Sequence, residues 1–220
     1  MKPWEILATA TTPDGKLFEL QRHDRNYAIH SDGGDVMTSF SHGSEDAMMR
    51  LACPRPPEDA CILVGGLGMG YTLAATLDLL PLEGSVVVSE LVPEVVEWNR
   101  GPLGPLAGHP LDDPRTELVV DDVFNIIRDS ESRFDAILLD VDNSVDSLIL
   151  AANSRLYTEE GLATTHRALR PNGALAIWSV GAKKTFERNL RRAGFTAATH
   201  HVRGRGKRGE HHYVLVGNKR

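Results

Sequence analysis

A chain of 220 residues, 41% hydrophobic and 25% charged, has the makeup of one globular domain with a substantial core and room for a small appendage. Its net charge of −6 argues against general nucleic-acid binding, which needs a basic footprint, and apolar runs such as Ala136 to Leu139 fall far short of the roughly 20 residues of a membrane span. Two cysteines, Cys53 and Cys61, are too few for a disulfide framework, and Met1-Lys2-Pro3-Trp4-Glu5 lacks an apolar signal core, so reduced thiols in a cytoplasmic protein are expected.

Residues 1–40 read as a small antiparallel β-meander. Short alternating stretches (Glu5 to Ala10, Lys16 to Arg22, Tyr27 to His30, Val36 to Ser39) are separated by Pro13-Asp14-Gly15 and Asp32-Gly33-Gly34. A helix follows within Ser41 to Ala52, with Ser44 as its cap, Glu45 and Asp46 in its first turn, and Ala47, Met48, Leu51 and Ala52 at helical spacing. From Cys61 the period changes. Cys61 to Val64 is a continuous apolar run, as in a parallel strand buried on both faces, and a glycine turn and a helix from Tyr71 to Leu80 come after it. Val86 to Glu90 is the next strand, and Pro93 to Asn99 a helix that starts on proline. Glu117 to Val120, Phe134 to Leu139 and Ala174 to Trp178 repeat the strand signal with helical stretches between them. The last two strands, Thr196 to Val202 and His211 to Val216, should pair antiparallel across Gly204-Arg205-Gly206. Alternation of strand and helix with short connections predicts an α/β, doubly wound sheet over residues 41–220, preceded by the meander.

The first local signature is Gly65-Gly66-Leu67-Gly68-Met69-Gly70, between a strand and its helix. Gly65, Gly66, Gly68 and Gly70 there let backbone approach a ligand and aim helix N-terminal amides at it. Two strand ends sharpen this signal. Glu90, with Leu91 after it, is placed to accept hydrogen bonds from both ribose hydroxyls, and Asp121-Asp122, with Val123, to accept from an adenine amino group. Together these residues predict an adenosine site at the carboxyl ends of the strands. A nicotinamide dinucleotide fits less well, because its fingerprint wants Gly or Ala where Tyr71 stands.

The sequence from about residue 15 to residue 200 resembles the spermidine synthases, a branch of the Rossmann-like class I methyltransferase superfamily with a seven-stranded sheet. The resemblance rests on Gly65 to Gly70, Val88-Ser89-Glu90-Leu91, Asp113-Pro114-Arg115, Asp121-Asp122 and Phe134 to Asp140 in the order and rough spacing of that family. It implies a transferase that binds S-adenosylmethionine or its decarboxylated form, leaves S-adenosylhomocysteine or methylthioadenosine, and acts on a small-molecule amine or other nucleophilic acceptor. It also implies a homodimer. Carried over by position, Glu90 holds the ribose, Asp121 and Asp122 the adenine end, and Asp140 the reacting amine. A carboxylate at hydrogen-bond distance suits an amine that must lose its proton before it attacks.

The departures bear on the acceptor. Where the family has Asp-x-x-Asp-Pro this chain has Asp140-Val141-Asp142-Asn143-Ser144, so Asn143 replaces the second acid and Asp142 lies one place away. Met37 stands where the family has glutamine, and the family's tyrosine with its acidic partner is not evident in residues 41–49. These changes predict an aminopropyltransferase-like enzyme that is a poor spermidine synthase. A methyltransferase acting on a small molecule, or a non-catalytic adenosyl-nucleoside-binding protein, shares the same cofactor residues. On the substrate side, His42, Asn143 and Trp178 are candidates beside Asp140 and Asp142. Adjacent histidines on paired strands (His200-His201 and His211-His212) face opposite sides, so no metal site is expected. The basic run Arg203 to Arg208 reads as a solvated hairpin tip.

Overall fold

Four short strands open the chain: β1 (Glu5–Thr11), β2 (Leu17–His23), β3 (Asn26–Ser31) and β4 (Gly34–Thr38), paired in sequence order as an antiparallel sheet. The computed structural model describes residues 3–31, 34–141, 151–181, 184–205 and 208–220. Period-2 alternation gives the meander one apolar face. Its Ala10, Phe18, Leu20 and Ile29 are buried with Met69, Tyr71, Val92, Val95 and Trp98. The meander is thereby docked on the segments that follow the first parallel strands.

The helix α1 (Glu45–Ala52) comes next, then β5 (Cys61–Gly65), α2 (Tyr71–Leu79), β6 (Ser85–Glu90), α3 (Pro93–Arg100), β7 (Thr116–Val120), α4 (Val123–Arg128) and β8 (Phe134–Leu139). They are followed by α5 (Glu159–Ala168), β9 (Leu169–Ser179), α6 (Lys184–Arg192), β10 (Phe195–Arg205) and β11 (Arg208–Lys219). The strands form a seven-stranded sheet in the order β10-β11-β9-β8-β5-β6-β7. It is parallel from β9 to β7, with β11 antiparallel to both neighbours. Its apolar runs are continuous because helices cover both faces. Ile62, Val64, Val86, Val88 and Leu138 pack with Met48, Met49, Leu73 and Leu77 on one side. Leu63, Val87, Ile137 and Leu139 pack with Ile127, Leu162, Phe186 and Leu190 on the other. No helix among the described residues is long and apolar enough to cross a membrane.

Chain order places the cleft. The chain steps outward from β5 through β6 to β7, then returns to β8 on the other side of β5. The carboxyl ends of β5 and β8 therefore diverge into a crevice, where open α/β sheets receive ligands.

Three local readings differ from expectation. Gly204 is not a turn residue: β10 runs on to Arg205, which pairs with Arg208, and the register shifts between Arg203 and Arg205. The glycine instead permits close approach, its carbonyl accepting from Gly43 N at 2.8 Å. Ser44 does not cap α1. Its backbone is helical and its side chain makes no capping bond, the hydroxyl being engaged by Glu45 and His212. The buried face of α1 is Glu45, Met48, Met49 and Ala52, so Met48 and Ala52 of the expected stripe are buried while Ala47 and Leu51 are half-buried. The Asp113-Pro114-Arg115 element, for its part, is a structural clamp. Asp113 holds Arg115 in a two-pronged pair, and Arg115 Nη1 donates to the Leu80 carbonyl at 2.9 Å, tying the start of β7 to the end of α2.

Candidate active site

A cavity opens where β5 and β8 diverge, roofed by the meander. Gly66, Gly68, Glu90, Leu91, Asp121, Asp122, Val123, Asp140 and Trp178 line it. Backbone bonds set these groups in place. Gly66 N donates to Ser89 O and Asp140 N to Gly65 O, both at 2.9 Å. Ser89 Oγ donates to Asp121 O at 2.6 Å, joining two strand ends.

Two of the four glycines face the cavity. Gly66 has φ +89°, and a Cβ there would overlap the Asp140 carbonyl, while one on Gly68 (φ +52°) would press on Met37 Sδ. Gly65 and Gly70 lie outside the lining. A Cβ on Gly65 would meet Val123 at 2.8 Å, and one on Gly70 would meet Asn99 and Pro110 at 3.1 Å, so both are needed for packing. His42 also lies outside. Its ring stacks on Tyr71 at 4.0 Å and its Nδ1 pairs with Asp46 at 3.0 Å, on the outer side of α1. Asp142 and Asn143 fall outside the described residues.

Glu90 is held by backbone amides, Leu67 N at 3.0 Å on Oε2 and Val92 N at 2.9 Å on Oε1, with those of Leu91 and Gly68 also acting on it. Burial pushes its carboxyl above the usual range, against the pull of those amides. Asp122 caps α4 by accepting from Phe124 N at 2.8 Å and is paired with Arg155, which leaves Asp121 as the exposed acceptor at that end. Asp140 accepts from Thr72 Oγ1 at 2.7 Å, and burial raises its carboxyl despite that bond.

Glu45 and Asn99 had no sequence reading as site residues. Glu45, only 4% exposed, lines the cavity too. Burial, then the charge of Asp140, drives its carboxyl up. Met37 Sδ accepts from Met69 N at 3.2 Å, and Asn99 Nδ2 donates to Gly68 O at 2.8 Å, so both brace the glycine turn. A second cavity, between β4 and the β10–β11 hairpin, shares Val36, Met37, Glu45 and Trp178 with the first. In that common wall stands Trp178, whose Nε1 is buried with no partner among the described residues.

The raised carboxyls make stability depend on pH. The folded chain keeps protons that the unfolded chain gives up, so stability is fully present below the ordinary carboxylate range and is lost as pH rises through the folded values. Glu45 is pushed up to about 8 and Asp140 to about 6. His166, His211 and His212 are shifted down, with burial as the largest cause. Their contribution has the opposite sign and is complete by about pH 7. Calorimetric melting of the ligand-free protein is therefore expected to show Tm falling between about pH 7 and 9. Glu45→Gln should flatten that limb, and an unchanged slope would mean Glu45 ionises normally.

The spermine/spermidine synthase domain matches residues 41–190. A polyamine aminopropyltransferase of Aeropyrum pernix is 32% identical over 184 residues, covering 80% of this chain and 52% of the relative, so the chain spans about half that relative's length. Among solved structures, spermidine synthase from Thermotoga maritima superimposes with a TM-score of 0.74 at 20% identity, over 96% of this chain and 72% of that one. Burkholderia thailandensis 1,6-didemethyltoxoflavin-N1-methyltransferase, solved with S-adenosylhomocysteine, gives 0.54 at 23% identity over 80% of this chain and 76% of its own. At such identities the two structures establish the fold alone.

Proposed function

Since the chain belongs to the spermine/spermidine synthase domain family, we propose that it is a transferase for an S-adenosyl sulfonium, moving an alkyl group, aminopropyl above all, to an amine acceptor. The observation that carries this reading is the charge of the cleft. Glu45, Glu90, Asp121, Asp122 and Asp140 line it, with no Lys or Arg among the described lining residues. A sulfonium and an amine are both cations, and a low-dielectric pocket of one sign favours them. The same charge favours decarboxylated S-adenosylmethionine over the intact form, whose carboxylate would meet the charge of Asp140.

In this reading Glu90 takes the ribose hydroxyls, and Asp121 accepts from the adenine amino group. Gly66 and Gly68 admit the chain between them. When bound, the sulfonium supplies an electrophilic carbon and a thioether leaving group. Asp140 holds the acceptor nitrogen and receives its proton, with Thr72 fixing the carboxylate's orientation. Positioning is the protein's main contribution, since the leaving group is already activated.

Calorimetric titration with decarboxylated S-adenosylmethionine, S-adenosylmethionine and methylthioadenosine tests the reading. The decarboxylated form should bind more tightly than the intact one. A preference for the intact form would favour methyl transfer, and binding of none would overturn the proposal. Glu90→Ala, which removes a charge-assisted two-pronged acceptor, should weaken nucleoside binding by about tenfold or more. Unchanged affinity in a folded variant would remove Glu90 from the site.

A further inference from the structure

Hydrogen bonds lead from the cleft to His212, whose far nitrogen faces an exposed carboxylate at ion-pair distance. Glu45 is bonded to Ser44 Oγ, and Ser44 Oγ lies 2.9 Å from His212 Nδ1. His212 Nε2 lies 3.9 Å from the carboxylate of Glu210, a side chain 89% exposed. Ser44 is fully buried and His212 nearly so, which leaves the serine no role as a nucleophile toward a bound substrate. One hydroxyl proton must serve two partners. When Ser44 donates to His212 Nδ1, Glu45 must be the protonated partner that donates to Ser44. When Glu45 is ionised, the hydroxyl donates to it, and His212 must carry a proton on Nδ1 and donate to Ser44. These two states differ by one proton moved along the chain.

We propose that Glu45 is the second acid of the acceptor site and that Ser44 and His212 carry the acceptor's proton from it to solvent. The proposal rests on the transferase reading above. The acceptor enters through the second cavity, where Glu45 and Trp178 form its junction with the first. At rest Glu45 is protonated and Asp140 carries the charge. Arrival of an ammonium, R–NH3+, drives the Glu45 proton through Ser44 to His212 and out, leaving two carboxylates around one cation. Asp140 or Glu45 then takes one proton from nitrogen. The freed lone pair forms the new C–N bond, the C–S bond breaks with its electrons going to sulfur, and the product is a secondary ammonium. One proton leaves per transfer. The groups acting on Glu45 are Asp140, Asp46, Tyr71 and the Ser44–His212 pair. Those acting on His212 are Glu210 and His211.

The test uses protein saturated with methylthioadenosine and n-butylamine as the probe, titrated calorimetrically in buffers of different ionisation enthalpy. At pH 7 the wild type should release about one proton per amine bound. Glu45→Gln should abolish the release and weaken the amine by about tenfold or more. His212→Phe should keep the amine site but shift the pH midpoint of the release downward, because Ser44 then donates to Glu45 and favours its ionised form. Ser44→Ala, which leaves both ends in place, should uncouple that midpoint from His212. Failure of the wild type to bind methylthioadenosine would overturn the transferase reading itself. Nucleoside binding with no amine binding, no proton release, or a release unmoved by Glu45→Gln and His212→Phe would overturn the role given to Glu45.

Discussion

Asp140→Asn is expected to lower turnover about a hundredfold or more while leaving nucleoside affinity nearly unchanged. The asparagine keeps the shape and still accepts from Thr72 Oγ1, the bond that orients the native side chain at 2.7 Å. What is lost is the base and the charge that hold an ammonium in the cleft. The backbone contacts that shape the turn, Asp140 N to Gly65 O and Gly66 against the Asp140 carbonyl, do not depend on the side chain. The ribose end of the cleft, on Glu90 at the end of β6, is untouched. The measurement is methylthioadenosine formed from the decarboxylated cofactor, with whichever amine of a panel the wild type uses fastest, beside a nucleoside titration. Equal loss of binding and turnover would make Asp140 a cofactor ligand instead, and undiminished turnover would remove it from the chemistry.

Where the fold was legible, one kind of residue met one kind of environment. The runs Ile62 to Val64 and Val86 to Val88 are buried on both faces of the sheet, and continuous burial leaves a continuous apolar signature. Glycines with positive φ at Gly66 and Gly68 and an acid at the end of β6 were equally plain, because backbone geometry and strand ends restrict which residue fits. What could not be read was contact between distant segments. The hairpin was expected to turn at Gly204, since a glycine's two uses, turning and close approach, look alike in sequence. Only the docking of Gly43 against it tells them apart. His42 was a substrate-side candidate, whereas its ring lies on Tyr71.

Glu45 is the instructive omission. The sequence reading gives it only as a first-turn acid that complements the helix dipole. Yet Glu45, Met48, Met49 and Ala52 form an i, i+3, i+4, i+7 set, and all four are buried. An acid on the apolar stripe of a helix was the signal that this carboxyl points inward. The family comparison alone suggested that an acid was missing from the acceptor site. The packing of α1 brings one in from another element, at a different position.

That relocation sharpens the expectation for short diamines. Turnover of 1,4-diaminobutane with decarboxylated S-adenosylmethionine is expected to be several powers of ten below that of a committed spermidine synthase. A diamine is a dication, and a site that selects it must align both ammonium groups with carboxylates. Glu45 and Asp140 act on one another electrostatically, and in the reading above both face the reacting nitrogen, which leaves the other to the second cavity. Among the described residues there, Val36, Met37, Phe40, Trp178 and Val180 supply apolar wall. The acids beyond Glu45 are Asp35, whose side chain is 59% exposed and bonded to His30, and the still more exposed Glu210. Exposed carboxylates contribute about 0–1 kcal/mol to an ion pair, too little to offset desolvating a second ammonium. An acceptor with one ammonium and an apolar body suits this cavity better. Steady-state assays comparing n-butylamine, longer monoamines and 1,4-diaminobutane decide the matter. The monoamines should win on kcat/KM, and a diamine value near about 10⁴ M⁻¹s⁻¹, ordinary for an enzyme on its own substrate, would return the chain to spermidine synthesis and require a carboxylate partner for the distal nitrogen.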